Sequence, residues 1–124
     1  MNKTNALRKI IQSNIDPIIK SYYRKANPEE TFRHAVYDFE NIDLLDLWRD
    51  DIILIIDLWD RGDDTSAIED AADLIEERFN AANMPDEDVL PTFYRISRKP
   101  IDDEDKNIIH RQLKFQVQNY FIGG

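Results

Sequence analysis

The spacing of apolar and polar residues is most telling between positions 42 and 61, a stretch that reads IDLLDLWRDDIILIIDLWDR and stops at Gly62. Wound at 3.6 residues per turn, Leu44, Leu45, Trp48, Ile52, Ile55, Ile56 and Trp59 share one wide arc. Asp43, Asp46, Asp50 and Asp57 stack on the opposite side. This pattern predicts a helix with an apolar front and an acidic back. Ile53, Leu54 and Leu58 widen the arc beyond half the circumference, so several neighbours are expected to surround it.

The remaining pattern is read the same way. Leu7, Ile10, Ile11, Ile15, Ile18, Ile19 and Tyr22 recur at steps of three and four, predicting a helix over 5–25 that kinks near Ser13 because of Pro17. Asn27 followed by Pro28, Glu29 and Glu30 reads as the capped start of another, with Phe32, Ala35, Val36 and Phe39 as its stripe. Ser66 with Glu69 forms a capping box ahead of a helix over 66–80, whose apolar side is Ile68, Ala71, Ala72, Ile75 and Phe79. Pro85 and Asp102 suggest two further starts. Residues 90–98 and 112–122 also alternate well enough to be strands. The sum is an all-α fold: one domain over 1–124, a bundle of about five or six helices around the central helix 42–61.

Composition narrows the class. At 124 residues, 42% hydrophobic and 33% charged, the chain suits one globular domain. It has no cysteine, which removes thiolate chemistry and fits a reducing cytoplasm. No secretory leader and no membrane span are expected. The net charge of −9 is uneven: +4 over 1–37, −15 over 38–89 and +2 over 90–124. Acidity focused on the middle third repels nucleic acid and membrane surfaces and attracts a basic protein.

Candidate chemistry is sparse. The only glycines are Gly62, Gly123 and Gly124, so no phosphate loop and no Gly-x-Ser-x-Gly elbow exists. His34 and His110 lack zinc or di-iron spacing, and Glu30, His34 and Asp38 read as an exposed ladder at steps of four. No catalytic, cofactor or metal site is expected. The acid pairs Asp43/Asp46 and Asp70/Asp73 each put two carboxylates on one helix face, a spacing able to hold Mg²⁺. In this they are similar to the all-α nucleotide pyrophosphohydrolases, which implies a metal-dependent enzyme as one alternative. A helical scaffold without inhibitory role is another. Trp48 and Trp59 are expected in the core.

The favoured expectation uses the same acids as a contact surface. Asp43, Asp46, Asp50, Asp57, Asp70, Asp73 and Glu77 would engage lysines and arginines of a basic partner through charge-assisted hydrogen bonds. In size, charge and expected helicity the chain looks like bacterial immunity proteins that neutralise nuclease toxins, and like phage proteins that mimic DNA. That resemblance implies a cytoplasmic inhibitor of a toxin nuclease or nucleic-acid enzyme.

Overall fold

The computed structural model describes residues 3–26, 32–44, 49–86 and 88–121. Along them run α1 (Lys3–Ile15), β1 (Ser21–Tyr23), β2 (His34–Leu44), β3 (Arg49–Arg61), α2 (Ser66–Phe79), β4 (Val89–Pro100) and β5 (Ile108–Phe121). The strands form one sheet in the order β1-β2-β3-β5-β4. β1 is parallel to β2, and the other neighbouring pairs are antiparallel.

The expected all-α bundle is therefore overturned, and the central helix with it. Residues 42–44 end β2, and 49–61 are β3, the middle strand of the sheet. Exposure along β3 alternates residue by residue from Ile52 to Asp60, the period of a strand. Residues 52–56 mislead because they are apolar at every position, satisfying a period of 3.6 as well as a period of 2. The deciding signal is isoleucine at 52, 53, 55 and 56. Its branched Cβ favours a pleated surface over a helix, and β2 and β5 on either side hydrogen-bond the backbone along its length.

Other helical expectations fall for related reasons. The Asn27–Glu30 helix start lies outside the described residues; of the stripe assigned to it, Phe32 precedes β2 and Ala35, Val36 and Phe39 run along it. There Ala35 and Phe39 face the helices, while Val36 faces away with His34 and Asp38. Residues 90–98 and 112–122 take the strand alternative as β4 and β5. Asp102 caps no helix; 101–107 is the turn between these strands. In it Asp103 and Asp105 each accept the amide hydrogen two residues ahead, at 2.9 Å. Pro17 ends α1 rather than kinking it: the helix stops at Ile15, and the Asp16 carboxylate accepts from both the amide and the hydroxyl of Ser21, at 3.0 and 2.6 Å.

α2 follows its prediction. Ile68, Ala71, Ala72, Ile75 and Phe79 are all buried. Its start differs, since the Ser66 amide donates to Asp64 (2.9 Å) and Thr65 occupies the cap, so the expected capping box does not form. With Leu7, Ile11 and Ile15 of α1, these residues pack on one sheet face against Ile52, Leu54, Ile56, Leu58, Leu113, Phe115 and Val117. Phe79 anchors the contact, with ring centroids 4.9 Å from Phe93 and 5.8 Å from Phe115. Prolines 91 and 100 fall on β4, an edge strand, where a missing amide hydrogen breaks no ladder bond. Among the described residues no helix is long and apolar enough to cross a membrane.

Candidate docking face

Both described helices lie on one side, so the other side of the sheet has no described element over it. Strand alternation sends the remaining side chains there: His34, Val36 and Asp38 from β2, Ile53, Ile55, Asp57 and Trp59 from β3, His110, Gln112, Lys114 and Gln116 from β5. Most are half-buried by their neighbours alone, because cross-strand partners cover one another.

At one end of this face an aromatic row crosses four strands. Tyr22 of β1 meets the His34 ring edge-on, with centroids 6.2 Å apart. His34 is the register partner of Trp59, and Trp59 is the register partner of His110. The Trp59 and His110 rings stack at 3.6 Å, within 19° of parallel. His110 Nε2 lies 2.7 Å from Asp57 Oδ1, and the Gln112 side-chain amide donates to the same oxygen at 3.1 Å. Phe32 lies beside His34 (5.9 Å), with the Arg61 guanidinium 4.6 Å above its ring. Trp59, expected in the core, is thus a surface aromatic fixed by its neighbours; Trp48 lies outside the described residues. Both histidines are less than a tenth exposed. A rigid, part-apolar row with polar groups around it is the composition of a docking hot spot.

The acids assigned to partner binding separate in space. Asp57 is on the open face, engaged by His110 and Gln112. Asp50 is paired with Asn119 at the alternate positions of β3, on the helix-bearing side. Asp70 and Glu77 are exposed on α2, as is Asp73, which binds Arg98 at 2.6 Å. Asp43 pairs with Asp51 in the β2–β3 ladder; its side chain, and all of Asp46, lie outside the described residues. The back-to-back arrangement of aspartates and apolar residues expected of a helix does not arise on a strand. Among the described residues no group of His, Asp and Glu could hold a metal ion.

Sequence reasoning passed over a second cluster, between α2 and the sheet. Arg98 of β4 binds Glu69 (2.9 Å), Asp73 (2.6 Å) and Glu76 (2.8 Å); Arg111 of β5 binds Glu69 (2.6 Å), and Arg95 pairs with Glu76. Burial works against the Arg98 charge, but its hydrogen bonds to Asp73, Glu76 and Glu69 outweigh it and hold the guanidinium above its ordinary pKa. The steps 69, 73 and 76 on one helix face were the available signal; their cations come from strands 19 or more residues on. The cluster ties α2 to β4 and β5.

No family model matches the chain, and no curated protein compared with it is similar. Among solved structures, a chain of the virion of a native gene transfer agent particle matches with a TM-score of 0.69 at 11% identity. The match covers 94% of this chain and 96% of that one. At that identity the likeness is one of fold, and it spans nearly all of both chains.

Proposed function

We propose that the protein is a structural subunit of a virus-like particle, acting by holding neighbouring proteins rather than by catalysis. The observation that carries this reading is the end-to-end fold likeness to a chain of a gene transfer agent virion. A fragmentary match would reflect a common supersecondary unit; one that leaves almost nothing over on either side concerns the whole working object. The open face supports the same reading, because it offers Tyr22 and Trp59, held in place by the buried rings of His34 and His110, as a preset contact surface. Lack of cysteine suits a subunit that folds in a reducing cytoplasm before it assembles. The inhibitor reading leaned on one acidic surface shared by two neighbouring helices, 42–61 and 66–80, and draws no support from acids spread over both sheet faces and α2.

The test is fractionation of the cells that make the protein. Particles banded on a density gradient should contain the chain, and deleting its gene should leave incomplete particles. Recovery of the chain only at the top of the gradient, with complete particles formed without it, would refute the proposal.

A further inference from the structure

Three in-register positions across the middle strands of the open sheet face are Asp38 on β2, Ile55 on β3 and Lys114 on β5. β3 is the third of five strands, so a two-fold axis laid along it would place β2 of one copy over β5 of the other. Rotation about an axis parallel to the strands also preserves height along them. Asp38 then meets Lys114 of the second copy, Ile55 meets Ile55, and Lys114 meets Asp38. An acid, an apolar residue and a base in that order are complementary to their own image, which is the requirement of an isologous contact. Within one chain the two charges are held by part-exposed pairs, Asp38 with Arg24 at 3.6 Å and Lys114 with Glu40 at 3.3 Å, which water screens and the contact would exchange.

We infer that two copies of this chain associate face to face through this side of the sheet, with the axis along β3. The axis then runs over Ile53, Ile55 and Trp59, giving the contact an apolar centre. The two carboxylates on it do not meet as bare charges. Asp51 is held by Arg49 (2.9 Å), and Asp57 accepts from Gln112 while engaged with His110. The sheet edges follow the same logic. Lys20 stands beside Ala35 at the β1 edge, and the ladder carries that level through Leu58 and Arg111 to Pro100, where the acid-rich turn 101–107 begins. The same rotation sets the basic edge of one copy over the acidic turn of the other.

Size agrees as well. The 13 residues of β3 at about 3.3 Å each, and the three strands β2, β3 and β5 that overlap fully at about 4.8 Å spacing, give a face of roughly 600 Å², to which the short β1 over β4 adds a margin on each side. A standard stable interface buries about 800 Å² per partner.

This pairing rests on the particle reading for its purpose but is measured on the purified chain, so either can fail without the other. Sedimentation should detect a dimer at micromolar concentration. Asp38→Lys and Lys114→Asp, each at a part-exposed position, should weaken it at least tenfold while leaving the melting temperature in place. The double exchange D38K/K114D should restore it, because the charges again face opposites. The chain lacks cysteine, so a short bis-maleimide should link Ile55→Cys to its own copy efficiently, and Lys25→Cys, at the β1 edge, poorly. A chain that stays monomeric, a double exchange that fails to rescue, or linkage at position 25 in place of 55 would overturn the inference.

Discussion

Trp59 and His110 are register partners on β3 and β5, and their rings stack at 3.6 Å with Asp57 holding the imidazole from the side, Nε2 to Oδ1 at 2.7 Å. The stack fixes Trp59 although nothing described lies above it. Replacing His110 by alanine removes an aromatic contact and a charge-assisted hydrogen bond, together worth about 2 kcal/mol. With Trp48→Phe as background, His110→Ala should lower stability by about that amount in urea and change the intensity of Trp59 emission in the folded state, where the stacked imidazole is gone. Unchanged emission would mean that the stack does not persist in solution.

Arg98 joins α2 to the sheet through three carboxylates of very different exposure. Glu76 is nearly buried, whereas the Asp73 side chain is 68% exposed. Water screens the Asp73 pair, so Asp73→Asn should cost under about 0.5 kcal/mol. Arg98→Met keeps the apolar stem but leaves Glu76 with Arg95 alone and Glu69 with Arg111 alone, at roughly 1–2 kcal/mol. Urea midpoints of the two variants should therefore differ clearly. Equal losses would remove burial as the factor that sets the strength of the cluster.

Gly62 closes β3 with a φ of 121°, and its amide donates to the Asn107 carbonyl at 2.7 Å, joining the two turns at that end of the sheet. A methyl group added there would meet nothing within 4 Å. Any loss in Gly62→Ala therefore comes from the backbone angle alone, about 1–2 kcal/mol. The urea midpoint should fall accordingly, with no change in the slope of the transition. A neutral result would mean that the turn can relax to a negative φ while keeping the Asn107 bond.

Some of this architecture was legible in the residues, and the rest was hidden for three separate reasons. α2 could be read because Ile68, Ala71, Ala72, Ile75 and Phe79 repeat at 3.6 against a charged outer side, a pattern no strand satisfies. β3 could not, because its open face carries Ile53, Ile55 and Trp59. A strand apolar on both sides loses the alternation by which strands are recognised. The aromatic row was hidden by distance. His34, Trp59 and His110 are far apart in the chain and become neighbours only through the β2–β3 and β3–β5 registers. Charge was legible as a total but not as a surface, since alternation sends Asp50 and Asp57 of one strand to opposite faces.

Tyr37 supplies a pH-dependent test of the core. Its ring is fully buried on the helix-bearing face, and its hydroxyl donates to the Gln12 side-chain carbonyl at 2.9 Å. Burial pushes its pKa above the ordinary value of 10.0, and the nearby Arg8 guanidinium only partly opposes that shift. Below the ordinary value the group is protonated in both folded and unfolded chains, and its contribution to stability is intact. As pH rises past that value the unfolded chain loses the proton first, so stability falls until the folded pKa is passed. Tyr37→Phe cannot ionise. At neutral pH it should be less stable by about 1 kcal/mol for the lost hydrogen bond. Between about pH 9 and pH 11 its deficit should shrink, because only the parent chain suffers the alkaline loss. Urea unfolding of both proteins across that range measures the difference directly, and parallel curves would show that the Tyr37 hydroxyl is not desolvated in the folded protein.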